Sequence, residues 1–356
     1  MRICGFAMLP AALLTLTTVG GLVLSLPLLL GYHPPKFQQR PVVCPAETAL
    51  ASRDHPLRVM SWNIQFLAGS YYPFWEDDFD QPPLTNKQID RNLDRIVAVI
   101  RQVKPDILQL QEVHLSHPVS LHRNQLDMLR EKLADEFPCY TYGSYWKARL
   151  VPKKHMFGTI DMALLTMSRF RISAASQEVL PATRKSWFLA PFYPRRSLLE
   201  TQMPIDGDNT LTTINTHLDT PVLKGGDMTE QVSRVHQRAM ELTKKNQWWV
   251  MTGDFNLVPP GFYQDMPKNQ KELYSAHSPL QPFYENFTGI PALNDIASHR
   301  NRWLTAYDLN RDGLDLVLDY IFHPPYLTSS QSRVLPLPLD VSDHMPVITE
   351  ITLPGT

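Results

Sequence analysis

Six short polar fragments of this 356-residue chain carry side chains suited to one kind of chemistry. They are SWNIQ with Asn63, LQEV with Gln111 and Glu112, NTHLD with Asn215 and His217, GDFN with Asp254 and Asn256, LDYIF with Asp319, and SDHMP with Asp343 and His344. The set offers carboxylates, amides and two histidines but no cysteine, and no HExxH accompanies it. A hard cation, Mg2+ with Mn2+ as the alternative, suits such donors better than structural zinc does. Magnesium takes one or two carboxylates and keeps several waters, which makes Glu112 the first candidate ligand, with Asn63 and Asp343 beside it. Hydrolysis of a phosphoester needs an attacking water, neutralisation of the phosphoryl charge and a protonated leaving oxygen. These residue types and one metal supply all three without a covalent nucleophile. Each fragment alone is weak evidence. Asp-His after a strand and Gly-Asp-x-Asn are common turns, a lone Glu is usually solvated, and a lone His is usually a hydrogen-bonded structural residue.

The weight comes from where the fragments fall. Leu57–Ile64, Asp106–Val113, Asp161–Met167, Ser197–Ile205, Thr210–Asn215, Trp248–Thr252, Leu316–Phe322 and Met345–Ile351 read as strands. Asn86–Val103 places Ile89, Leu93, Ile96, Val97 and Ile100 on one helical face and stops before Pro105; Leu121–Phe137 and Thr229–Lys245 read as further helices. β–α–β units mixed with directly successive strands predict a layered α/β sandwich and not a purely parallel sheet. The polar fragments sit at the ends of these strands, where a scaffold presents side chains to solvent.

Composition agrees with an ordinary core-forming protein: 43% of residues are hydrophobic, and 34 Lys+Arg face 35 Asp+Glu, a net charge of −1. That balance gives no general basic surface for nucleic acid, although a local basic groove stays open. Cys4, Cys44 and Cys139 lie far apart, so at most one bridge, Cys44 to Cys139, is conceivable.

The fragments WNIQ, LQEV, NTHLD, GDFN, LDYIF and SDHMP, in this order over about residues 57–351, resemble the endonuclease/exonuclease/phosphatase family. The resemblance implies a four-layer α/β sandwich, two face-to-face mixed β-sheets flanked by helices, with the site at one edge. It makes Glu112 the principal metal ligand with Asn63 beside it and Asp343 completing the metal environment. Asp254 would orient or deprotonate the attacking water, Asn256 would hold a phosphate oxygen, and His344, oriented by Asp319, would bind or protonate the phosphoryl group. His217 resembles a second histidine of deoxyribonuclease-like and sphingomyelinase-like members, supported by Asn215. The general base stays open among His217, His344 and Asp254. GDFN continues as LVPPG and not as GDLNYR, which sets inositol-polyphosphate phosphatases aside, and the NTHLD histidine sets abasic-site endonucleases aside. Phosphodiester cleavage is the remaining expectation, on a phospholipid by preference, with nucleic acid the alternative and an inactive binding module of the same fold the remote one.

Ile3–Leu30 holds 28 residues without a charge, long enough to span a bilayer, and no clean small-x-small cleavage site follows Leu30. Residues 1–30 are therefore expected as a transmembrane signal anchor, with a cleaved signal peptide as the alternative. Residues 31–56, rich in Pro, are expected as a linker, and 57–356 as the catalytic domain. The catalytic domain is expected on the non-cytosolic side, secreted or periplasmic if the segment is cleaved.

Two aromatic runs, Tyr71–Asp80 (YYPFWEDDFD) and Trp187–Ser197 (WFLAPFYPRRS), suit either a membrane interface, base stacking or the domain's own core. Arg196, with Arg195, is expected to grip a phosphate. Asp308–Asp319 imitates an EF-hand loop but has Asp315 at the eighth place and Asp319 at the twelfth, so a turn feeding the Asp319 strand is the better reading.

Overall fold

A computed structural model describes residues 20–21, 23–69, 82–151, 156–183, 186–207, 209–220, 228–307 and 313–354. The Tyr71–Asp80 cluster and the first five residues of the EF-hand-like loop lie outside the described residues.

Two sheets form the centre. One has seven strands in the order β1 (Phe37–Arg40), β6 (Ala174–Val179), β7 (Ser197–Ile205), β8 (Asn209–His217), β9 (Trp248–Asp254), β11 (Asp319–His323) and β10 (Thr288–Ile290). The other has six, in the order β12 (Thr328–Val334), β13 (Val347–Thr352), β2 (Leu57–Asn63), β3 (Ile107–Ser116), β5 (Gly158–Ser168) and β4 (Cys139–Val151). β2–β3 and β8–β9 are parallel and the other pairs antiparallel, so both sheets are mixed.

Helix α1 (Asn86–Val103) starts at Thr85, whose hydroxyl accepts from the Gln88 backbone N–H while the Gln88 side chain accepts from the Thr85 N–H. This reciprocal cap satisfies donors that the first turn leaves free. The helix ends at Lys104 in the left-handed conformation, just before Pro105. Its Ile89, Leu93, Ile96, Val97 and Ile100, with Leu126, Leu129 and Leu133 of α2 (Gln125–Leu133), pack on Met60, Trp62, Leu108 and Leu110 of the six-stranded sheet. Each such aliphatic side chain contributes about 1.5–3 kcal/mol on leaving water. On the other side α3 (Thr229–Lys244) buries Val232, Val235, Ala239 and Leu242 in the cluster that holds Trp249 and Met251.

Between the sheets the filling is partly polar, and most of it is paired. Thr252 Oγ1 donates to Gln109 Oε1 at 2.6 Å, Gln109 Nε2 donates to Thr213 Oγ1 at 3.2 Å, and Thr213 meets Thr201 at 2.7 Å. Period-two alternation explains the split: along β3, Leu108 and Leu110 face the helices while Gln109 faces the other sheet. A satisfied buried network of this kind fixes one sheet's position against the other.

The stretch expected as a linker is in part structural. Phe37–Arg40 is the edge strand β1, paired with β6; Val43 bridges Tyr140, Ala51 bridges Ile205, and Cys44 forms a disulfide with Cys139. Of the uncharged N-terminal stretch only residues 20–21 and 23–30 are described, and they are helical. The transmembrane expectation falls mainly on residues 1–19 and 22, outside the described residues; among the described residues no helix is long and apolar enough to cross a membrane.

Candidate active site

Strand register builds the site around Asp254. β8 and β9 run parallel with His217 opposite Asp254, and β9 and β11 run antiparallel with Asp319 opposite Asp254. Asp254 therefore has a histidine on one flank and a carboxylate on the other before any side chain is considered. Gly253, one residue earlier, has φ +150°, and a Cβ there would run into the Thr216 carbonyl oxygen. Only glycine lets β9 approach β8 this closely.

The other sheet brings Asn63 and Glu112. Asn63 Nδ2 donates to Asp254 Oδ2 at 3.1 Å, and Asn63 Oδ1 accepts from the Gln65 N–H at 2.9 Å. Glu112 stands where the β3–β5 register shifts between Leu110 and Val113, and its φ is +60°. The bulge re-aims its side chain toward the strand ends, and strain of about 1–3 kcal/mol at a non-glycine residue is characteristic of functional positions. Asp254 Oδ1 accepts from the backbone N–H of Asn256, itself at φ 53°. The Asn256 side chain donates to the Leu218 carbonyl at 3.0 Å.

The loop before β13 delivers the last pair. Ser342 Oγ donates to the Asn63 carbonyl at 2.8 Å and accepts from the His344 N–H, and the Asp343 N–H donates to Gln65 Oε1 at 3.0 Å. His344 Nδ1 lies 2.7 Å from Asp319 Oδ2. That leaves His344 Nε2 3.6 Å from Asp254 Oδ2, with His217 Nε2 3.4 Å from the same oxygen. His217 Nε2 is also 3.9 Å from Glu112 Oε1 and makes no hydrogen bond, although it is buried.

Electrostatics separates the two rings. Burial disfavours a charge on His344, but the carboxylates of Asp319 and Asp254 outweigh it and hold the ring well above the ordinary histidine value, as an imidazolium. Burial, together with Arg196 and His344, holds His217 well below that value, as a neutral imidazole. The carboxylates move the other way. Burial and the nearby Asp343 push Glu112 up to about 8. Burial is also the main cause that lifts Asp254 to about 7 and Asp343 to about 6.

Three buried carboxylates whose pKa values are raised by burial and by neighbouring acids would be relieved by a cation, and their all-oxygen donor set fits a hard divalent ion. Asp254, Asp319 and His344 also bring ligand atoms within 4.8 Å of one another. The 2.7 Å bond between Asp319 and His344 already accounts for that closeness, and a protonated Nδ1 has no lone pair for a metal. Glu112, Asn63 and Asp343 are residues that could hold an ion there.

Asn215, expected to support His217, and Arg196, expected to grip a phosphate, take other roles. Asn215 donates to the Leu110 and Leu165 carbonyls at 3.1 and 3.0 Å and accepts from Gln111 Nε2 at 2.8 Å. Its amide is consumed in clamping the two sheets together. Arg196 is buried, with Nε 2.9 Å from Asp219 Oδ1 and its guanidinium 5.2 Å from the centroid of the Tyr145 ring. Asp219 is tied down further by Thr183 at 2.6 Å and Gln231 at 3.1 Å. The Arg196 charge is thus spent inside the protein and not on a phosphate.

Tyr145 is the residue the sequence reading missed. Its hydroxyl lies 3.2 Å from His217 Nδ1 and 2.8 Å from Met162 Sδ, so it orients the His217 ring from behind. It stands on β4, which lacks an apolar run, and only the fold brings it to the site.

No curated protein matches the chain. An endonuclease/exonuclease/phosphatase from Beutenbergia cavernae DSM 12333 shares the fold with a TM-score of 0.59 at 22% identity, covering 85% of this chain and 72% of that one. The human Nocturnin catalytic domain with bound sulfate anion gives 0.54 at 18% identity, over 90% of this chain and 98% of that one. A mannosyl-6-phosphatase from Bacteroides thetaiotaomicron VPI-5482 gives 0.51 at 17% identity, over 83% and 100%. At these identities the likeness is one of fold. The model of the Endonuclease/Exonuclease/phosphatase family matches residues 60–344, from the first polar fragment through His344, and the chain belongs to that family.

Proposed function

We propose that this chain is a Mg2+-dependent phosphodiesterase that hydrolyses its substrate by in-line attack of water, with a lipid-type phosphodiester as the favoured substrate. The observation that carries the reading is one carboxylate oxygen, Asp254 Oδ2, faced by two imidazoles of opposite protonation at 3.4 and 3.6 Å. The cationic His344 beside a carboxylate lifted toward neutrality gives the site an acid and a base, with His344 as the acid and Asp254 as the base.

Asp254, lifted to about 7 by burial, is poised near neutral pH to take the proton of the attacking water. Asn63 Nδ2 and the Asn256 N–H fix both of its oxygens. His344, kept cationic by Asp319, donates from Nε2 to the phosphoryl group or its leaving oxygen. His217, held by Tyr145, points its unpaired Nε2 into the same space, 3.4 Å from Asp254 Oδ2. A divalent ion held by Glu112, Asn63 and Asp343 would neutralise phosphoryl charge as a Lewis acid.

Among fold neighbours one is named a mannosyl-6-phosphatase and another binds sulfate, so the fold accepts both anion recognition and monoester chemistry. The discriminating experiment compares bis(p-nitrophenyl) phosphate, a soluble diester, with p-nitrophenyl phosphate, a monoester, with Mg2+ and with EDTA. Metal-dependent release from the diester supports the proposal; release from the monoester alone replaces it with a phosphatase.

A further inference from the structure

Among the described residues, several exposed apolar side chains stand at the active-site end of the sandwich. β2 ends at Asn63 and β8 at His217, which defines the active-site end. β7 runs against β8 with Leu198 opposite Thr216, so the segment before Ser197, residues 186–196, emerges there. β6 runs against β7 with Val179 opposite Ser197, and β1 against β6 with Phe37 opposite Glu178. The chain preceding β1, including the helical residues 23–30, therefore enters from this end too. In the other sheet, Val151 of β4 pairs with Gly158 of β5 beyond the Asp161–Ser116 pair that closes β3, so the β4–β5 tip projects past the site.

These pieces are joined. The Tyr32 N–H donates to the Pro191 carbonyl at 2.8 Å, Tyr32 Oη donates to the Ser144 carbonyl at 3.2 Å, and Trp146 Nε1 donates to the Phe192 carbonyl at 2.9 Å. The end of the uncharged stretch is thereby pinned to the loop carrying Trp187 and Leu189. Leu28, Phe157 and Trp187 are 71%, 66% and 64% exposed. From the same loop, Arg195 donates its backbone N–H to Tyr145, the residue behind His217. In sequence, Lys153 and Lys154 precede Phe157, and Arg184 and Lys185 precede Trp187.

We propose that Leu28, Phe157, Trp187 and Leu189 form a membrane-docking rim that seats the active-site end of the sandwich on an anionic bilayer. An interfacial Trp with basic neighbours is the side-chain chemistry that a headgroup layer accepts. An uncharged stretch of 28 residues that stops at this rim directs it to lipid and not to a protein partner. Resting on the phosphodiesterase reading, this placement means that the scissile phosphate is taken from the headgroup plane, without extraction into water.

The test uses the full chain reconstituted in vesicles of four parts phosphatidylcholine to one part phosphatidylglycerol, with brominated acyl chains as quenchers. Wild-type tryptophan emission is expected to be quenched, and Trp187→Phe is expected to remove a quenched component while the protein stays vesicle-bound. Equal quenching in wild type and Trp187→Phe would overturn the rim. A Phe157→Ser, Leu189→Ser variant is expected to move the Trp187 contribution to the emission to longer wavelength and to cut lipid headgroup release about a hundredfold, about tenfold for each of the two anchoring side chains lost; unchanged emission and release would also overturn it. Wild-type protein inactive on the soluble diester would sink the functional reading instead, and the quenching result would stand regardless.

Discussion

Asp319 holds His344 through a 2.7 Å contact between Oδ2 and Nδ1, and that single bond decides which nitrogen faces Asp254. The carboxylate also keeps the ring cationic in a buried pocket that would otherwise strip its proton. Asp319→Asn keeps the shape and removes the charge. We expect kcat on a soluble diester to fall by about a hundredfold or more, with KM little changed, because ground-state contacts survive while the acid is lost. The loss should deepen as pH rises, since His344 without its partner deprotonates earlier. A uniform loss across the pH profile would mean that Asp319 merely supports the fold.

The clustered carboxylates predict how metal and pH act on stability together. In the metal-free fold Glu112, Asp254 and Asp343 stand near 8, 7 and 6, above their ordinary values of 4.5, 3.8 and 3.8. The folded state thus holds more protons than the unfolded one in this window, and their contribution to stability is lost as pH rises from about 4 to 8. Buried His217, His114 and His117 are lowered and act oppositely, losing stability as pH falls below their ordinary 6.5. The difference in Tm between Mg2+-loaded and EDTA-treated protein isolates the carboxylates. It should grow steadily from pH 5 to pH 8, approaching the stabilisation of about 2.7 kcal/mol that a ligand gives at a hundred times its Kd. A difference independent of pH would place the ion elsewhere.

Arg196 separates a structural role from a substrate one. Removing it strands the Asp219 carboxylate in a buried network with Thr183 and Gln231. Arg196→Ala should cost about 3–5 kcal/mol in urea unfolding, the penalty for breaking a buried pair. A residue that gripped phosphate in an otherwise intact fold would instead raise KM and leave the unfolding midpoint in place.

How much of this was legible follows from where strands sit in their sheets. The strands read from sequence, β2, β3, β5, β7, β8, β9, β11 and β13, are all interior strands with apolar runs. All four edge strands, β1, β4, β10 and β12, escaped, and so did β6 beside an edge. β12 shows why: TSSQSRV is largely exposed and pairs on one side only, so nothing in its pattern demands a sheet. The site was legible where it lay on interior strand ends, at Asn63, His217, Asp254 and Asp319. Tyr145 was not, because it stands on an edge strand, and Arg196 was misread because its partner Asp219 belongs to another loop.

The central claim is that Asp254 is the base around which the two histidines are arranged. Its most direct test is the Mg2+-dependent turnover of a soluble phosphodiester by Asp254→Asn, measured beside its Tm. Asn fills the same space and can still accept from the Asn256 N–H, while its NH2 meets the Asn63 Nδ2 donor and gives up that one bond. The account predicts a kcat lower by about 10³-fold or more with the Tm within a few degrees of wild type. Retained turnover in a folded Asp254→Asn protein would contradict it.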